Sequence, residues 1–126
     1  MSHIVTIKTK IRDPDALSAA CRRLGLEAPV HGTATLFSSH ATGLIVKFPD
    51  WHYPIVIDTA SSEVLFDNFE GKWGAQSELD KLLQVYACEK AKLEARRAGH
   101  TVTEQPLANG AIKLTIHVGG VIGGAA

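Results

Sequence analysis

The chain has 126 residues, 45% of them hydrophobic and 21% charged, with 13 basic and 13 acidic side chains and no net charge. That size and balance predict one domain with a packed core and exclude global disorder. A chain without basic excess is a poor general binder of nucleic acid or anionic membrane.

Ile4 to Ile11 alternates, with Val5, Ile7, Thr9 and Ile11 on one face and Thr6, Lys8, Lys10 and Arg12 on the other. This reads as a strand with a basic, solvated face. Asp13-Pro14 then opens a helix, Asp13 as cap and Pro14 at the first helical position. Leu17, Ala20, Cys21 and Leu24 form its inward stripe, and Gly25 ends it.

Short extended runs follow at Thr33–Phe37, Leu44–Phe48, Tyr53–Asp58 and Glu63–Phe66, divided by Ser, His, Gly, Pro and Asp clusters. They suit an antiparallel meander, and Ile55-Val56-Ile57, apolar on both faces, suits its centre. Asp67 to Gly74 is a loop. Ser77 and Asp80 frame the start of a long helix in which Leu79, Leu82, Leu83, Tyr86 and Leu93 recur at helical spacing. Arg96 and Arg97 close its last turn and Gly99 ends it. Asn109-Gly110 lies between two alternating runs and predicts a two-residue type I′ hairpin with positive φ at both residues.

The expected fold is α+β, in the order β-α-β-β-β-β-α-β-β. Two helices pack on one face of a mostly antiparallel sheet. The opposite face should then be polar or be covered by a partner. The expected core includes Ile7, Leu17, Leu24, Ile57, Leu79, Leu83 and Tyr86. Residues 1–118 read as one domain and residues 119–126 as a glycine-rich tail.

Two stretches carry a family likeness. The first is Met1-Ser2-His3 with Ile7-Lys8-Thr9-Lys10-Ile11-Arg12-Asp13 and the Leu17…Leu24-Gly25 helix. The second is Asp67-Asn68-Phe69-Glu70-Gly71-Lys72-Trp73-Gly74, continuing through Gln84-Val85-Tyr86-Ala87 and Glu89-Lys90-Ala91-Lys92 to Gly110-Ala111-Ile112-Lys113-Leu114. Together they resemble a family of small uncharacterised proteins, domain of unknown function twelve fifty-seven. That family includes a conserved hypothetical plastid and cyanobacterial reading frame. The likeness fades between Ala28 and Ser62. It implies a compact intracellular α+β protein with an accessory role alongside AAA-type ATPases, and it brings no reaction and no catalytic residue. The Gly119-Gly120-Val121-Ile122-Gly123-Gly124-Ala125-Ala126 ending departs from the plastid-type pattern.

Chemistry-bearing patterns are sparse. The six histidines (His3, His31, His40, His52, His100 and His117) show no paired ligand spacing, and no C-x-x-C occurs, so solvated or hydrogen-bonded histidines are expected. His31, His40 and His52 fall on or beside predicted turns, and His117 falls opposite or near His100. Asp67, Asn68 and Glu70 offer oxygen ligands too few for a hard cation. The expected alternative is that Asp67 and Asn68 make side-chain turns while Trp73 packs on the sheet. Cys21 and Cys88 sit mid-helix, away from any N-terminus that would activate a thiol. Two such cysteines make no disulfide framework. With no export-like segment and no membrane-length run, the expected setting is cytoplasmic. Ser38-Ser39-His40 matches a hydrolase site only in composition, and no nucleophile elbow, phosphate loop or dinucleotide fingerprint occurs.

The reading is a non-catalytic binding, accessory or assembly protein that works with a protein partner or as a homo-oligomer. It requires neither membrane nor nucleic acid, and no cofactor or metal. Candidate interaction residues are Lys8, Lys10 and Arg12 on the first strand and Val121, Ile122 and Gly124 in the tail. Charge on an edge strand also guards against aggregation. The alternative is a ubiquitin-like modifier processed at its double-glycine tail, because glycine threads narrow enzyme channels. A modifier of that kind opens with a hairpin, however, not with strand–helix. A metal-dependent enzyme comes third.

Overall fold

The computed structural model describes residues 5–37 and 39–119. The fold is α+β, and its elements follow the expected order: β1 (Val5–Lys8), α1 (Pro14–Arg23), β2 (Val30–Leu36), β3 (Ser39–Val46), β4 (Ile55–Asp58), β5 (Glu63–Phe66), α2 (Gln76–Arg97), β6 (Thr101–Pro106) and β7 (Ile112–His117). The chain divides into two compact units, Met1–Tyr86 and Ala87–Ala126.

The first unit holds a five-stranded antiparallel sheet in the order β1-β5-β4-β3-β2. β4 is central, which explains why Ile55, Val56 and Ile57 are all fully buried. Register places Val46, Ile55, Ile57, Val64 and Phe66 on one face. The opposite face carries its own buried cluster of Ala34, Leu36, Ala41 and Val56, flanked by Ile45, Tyr53 and Leu65. Among the described residues that cluster contains no helical residue, while Ile55 and Ile57 on the other face and Leu17 and Cys21 of α1 are fully buried. The second face is therefore neither polar nor bare.

Asp13 caps α1, its Oδ1 accepting from the N–H groups of Asp15 and Ala16, with Pro14 at the first helical position. At the other end Gly25 has φ +73°. Its N–H donates to Arg22 and that of Leu26 to Cys21, the paired bonds of a Schellman motif. Ala16, Leu17, Ala20 and Cys21 are fully buried, while Leu24 is half-buried. The ladder between β1 and β5 stops at Thr9, whose N–H and hydroxyl both donate to the Ser62 carbonyl. Ser62 has φ +61°, which turns the chain out of the sheet, so β1 is shorter than its alternation predicts.

α2 begins at Gln76, one residue before Ser77, and Ser77 lies within the first turn rather than capping it. Leu79, Leu82, Val85 and Tyr86 are buried, and Leu83 is half-buried. Tyr86 fixes the start of α1. Its hydroxyl accepts from the N–H groups of Arg12 and Asp13, both at 3.1 Å.

The second unit holds the remainder of α2 and the β6–β7 ribbon. α2 ends in another Schellman motif, Gly99 at φ +84°, with Gly99 N–H to Arg96 and His100 N–H to Ala95. Val102, Glu104 and Pro106 face Ile112, Leu114 and Ile116 on one side of the ribbon. Thr101, Thr103 and Gln105 face Lys113, Thr115 and His117 on the other. The expected type I′ turn is corrected here. Positive φ among described non-glycine residues occurs at Ser62, Phe69 and Glu70, so Asn109 lies outside it while Gly110 has φ +87°. Gly110 N–H donates to Leu107 and Leu107 N–H to Ala111, a three-residue loop with a glycine bulge. The Asn109 side chain accepts from Ala111 N–H and steadies it.

Candidate functional site

Loops at one end of the first unit bring together most of its aromatic rings. The Trp73 ring centroid lies 5.3 Å from Phe37, 5.3 Å from His52, 5.5 Å from Tyr53 and 4.7 Å from Phe69. Behind this group Trp51 is wedged between Phe48 and Phe66 and is buried. Phe37 remains 52% exposed, large for a phenylalanine. His52 is exposed, and Tyr53, Phe69 and Trp73 are half-buried.

Backbone strain builds this surface. Phe69, Glu70 and Gly71 have φ values of +47°, +54° and +92°, a left-handed turn that L-residues resist. Several bonds hold it. Asp67 Oδ1 accepts from Phe69 N–H, and the Asn68 carbonyl accepts from the N–H groups of Gly71 and Trp73. Asn68 Nδ2 donates to the Gly74 carbonyl. Asp67 and Asn68 are both buried, so their polar groups serve the loop itself. Asp67 thus makes the side-chain turn expected of it, whereas Asn68 spans the loop. His52 N–H donates to Trp73 and Trp51 Nε1 to Ala75, tying the two loops together. Gly74 lies against Trp51, where a Cβ would fall 2.3 Å from the indole.

The rim is charged on both sides. Lys72 Nζ sits 4.8 Å above the Phe69 ring, a cation–π contact. A cleft of about 380 Å³ borders Trp51, His52 and Tyr53, with Glu27 and Lys47 at its edge. Sequence patterns mark this loop as side-chain turns at Asp67 and Asn68 with Trp73 packed on the sheet. They miss that Phe37 and His52, far away in the chain, complete an aromatic surface with Trp73. The remaining signal was the two tryptophans themselves, at 51 and 73.

The residues chosen from sequence lie elsewhere. Lys10 and Arg12 are exposed beside β1, and β1 is an edge strand. Arg12 Nε donates to Ser62 Oγ. Lys8 closes β1 opposite Glu63. Val121, Ile122 and Gly124 lie outside the described residues, as does His3. His31 and His40, expected on or beside turns, are each the second residue of a strand, β2 and β3, and Thr35 Oγ1 lies 3.2 Å from His40 Nδ1. His117 pairs with Thr101, next to His100.

The described residues of the second unit include a tight polar cluster. Cys88, Glu89 and Glu104 bring possible ligand atoms within 4.8 Å of one another. A cation already occupies that space, because Lys92 Nζ lies 3.1 Å from Glu89 and 3.2 Å from Glu104. Burial opposes the Lys92 charge, but the hydrogen bonds and charges of the two glutamates outweigh it and raise its pKa. The arrangement is an ion triad of one ammonium shared by two carboxylates, and it links α2 to β6. Burial pushes the Cys21 thiol up to about 11, which makes it inert rather than nucleophilic at neutral pH. No helix among the described residues is long and apolar enough to cross a membrane.

No family model, curated protein or solved structure matches this chain.

Proposed function

We propose that this protein is a non-catalytic binding or accessory protein, and that it engages a protein segment through the Phe37–His52–Phe69–Trp73 surface. One observation carries the reading: three consecutive left-handed residues hold Phe69 and Trp73 on display beside an exposed Phe37. Strain of that kind persists where surrounding structure enforces it, and it gathers at ligand clamps and recognition loops. Large rings with a charged rim match the composition of protein-binding hot spots. The family likeness of the two sequence stretches adds a class of partner, an AAA-type ATPase.

Phe37→Asp and Trp73→Ala test this, with Lys81→Ala, exposed on α2, as the control. Each is expressed in the native cell with a photo-crosslinking residue at position 72, and crosslinked products are identified by mass. The expected result is one dominant protein adduct in the parent and control. It should weaken more than tenfold in both ring variants while circular dichroism stays unchanged, as removal of a hot-spot residue worth more than about 1.4 kcal/mol requires. An adduct that survives both substitutions removes this surface from the function.

A further inference from the structure

The two edges of the five-stranded sheet are treated differently. β1 is four residues long, ends in Lys8 and is followed by Lys10 and Arg12. Shortness and lysine are the usual guards of an edge against pairing with another chain. β2 is seven residues, Val-His-Gly-Thr-Ala-Thr-Leu, with no acidic residue, lysine, arginine or proline. It lies at the other end of the sheet, paired on one side with β3. Val30 at its start is 64% exposed.

The register shows which backbone groups β2 turns outward. Leu36 pairs with Ser39 across a two-residue connection, which makes that pair the bonded one closing the hairpin. Bonded pairs then alternate back through Ala34, Gly32 and Val30. His31, Thr33 and Thr35 are the unbonded positions, where side chains stand closest. Thr33 Oγ1 lies 2.8 Å from Thr42 Oγ1, and Thr35 bonds His40, as that assignment requires. The N–H and C=O groups of His31, Thr33 and Thr35 therefore point away from the sheet.

We infer that β2 pairs with β2 of a second copy of this chain, antiparallel about a two-fold axis at Thr33. The strand is self-complementary in that register. Thr33 faces Thr33, and His31 faces Thr35 in both directions. All three outward residues of each copy are then bonded, giving about six hydrogen bonds. The polar face of His31, Thr33 and Thr35 continues into the same face of the second copy. Val30 continues the apolar face opposite Leu36. A two-fold contact between identical strands carries no charge clash, because the strand has no charged residue at neutral histidine. The contact joins two five-stranded sheets into one and removes the unguarded edge.

The test uses the full chain. Sedimentation or light scattering across about a hundredfold concentration range should show a dimer that dissociates on dilution, as mass action requires. Thr33→Lys sets two ammonium groups opposite each other at the axis. It should shift the dissociation constant at least tenfold while circular dichroism stays native. Thr33→Cys supplies a second readout. Bonded antiparallel pairs stand about 5.5 Å apart at Cα, inside the disulfide range of about 4.4–6.8 Å. Mild oxidation should therefore link two Thr33→Cys chains, whereas Thr42→Cys, one strand further in, should stay unlinked. A chain that is monomeric throughout overturns the inference, as does a dimer that Thr33→Lys leaves intact. Loss of dimer on deleting Gly119–Ala126, with Thr33→Cys unlinked, assigns the association to the tail and also overturns it.

Discussion

Gly71 and Gly74 sit in the same loop and resist substitution for different reasons. Gly71 has φ +92° and open space around it. Gly71→Ala therefore meets only backbone strain, about 1–2 kcal/mol. Gly74 sits against the Trp51 indole, and a methyl there must displace a packed ring. Gly74→Ala should cost about 1–3 kcal/mol as overpacking and also loosen the loop that carries Trp73. Urea melts of both variants check this, and an alanine at position 74 with parent stability would mean Trp51 yields freely. Cys21 gives a pH signature at the same scale. Its thiol ionises near 9.0 in the unfolded chain, and burial holds it protonated up to about 11 in the fold. The raised value means its contribution is fully present below 9.0 and is lost as pH rises through about 11. Stability should fall across that alkaline window, and Cys21→Ala, though less stable overall, should fall less steeply.

At the scale of elements, Tyr86 couples α2 to the entry of α1 by accepting two backbone N–H groups. Tyr86→Phe keeps the ring and strands both donors. The expected cost is about 1–3 kcal/mol, with faster amide exchange at Arg12 and Asp13. A variant as stable as the parent would mean that water replaces the hydroxyl. Helical spacing makes Leu79 and Tyr86 readable as core. It does not decide between neighbours: Leu82 is fully buried and Leu83 half-buried. The hairpin is a second case. Asn-Gly suits both a two-residue loop and a bulged one, and strand register decides between them. A loop closed by Ala108 and Ala111 would set Ile112, Leu114 and Ile116 against Leu107, Gln105 and Thr103. The observed pairing keeps them on the face of Val102 and Pro106. That choice depends on which side of the ribbon is covered, which local sequence does not state.

At the scale of the molecule, the centrality of β4 is legible because Ile55-Val56-Ile57 is apolar on both faces, and the β2–β5 meander follows from short runs divided by turn residues, whereas the docking of β1 beside β5 is not written in local sequence. The aromatic surface is not legible, because it joins positions 37, 52, 69 and 73, and no periodicity links loops that meet only once the sheet has formed. The absence of net charge has a consequence of its own. With a sequence pI near 7.0, repulsion between copies is weakest near neutral pH. Turbidity should therefore peak near pH 7 and fall on either side. A maximum displaced by two pH units or more would show that local fields, not net charge, govern association between copies.

The two indoles also make the protein its own optical probe. Trp51 is buried between Phe48 and Phe66, whereas Trp73 is half-buried at the rim beside His52. Their emission should separate into a blue component that resists acrylamide and a redder one that acrylamide quenches. An occupant of the aromatic surface would shield only the second. Trp51→Phe then leaves a single-tryptophan chain whose indole quenching constant reads occupancy directly, with no dye attached.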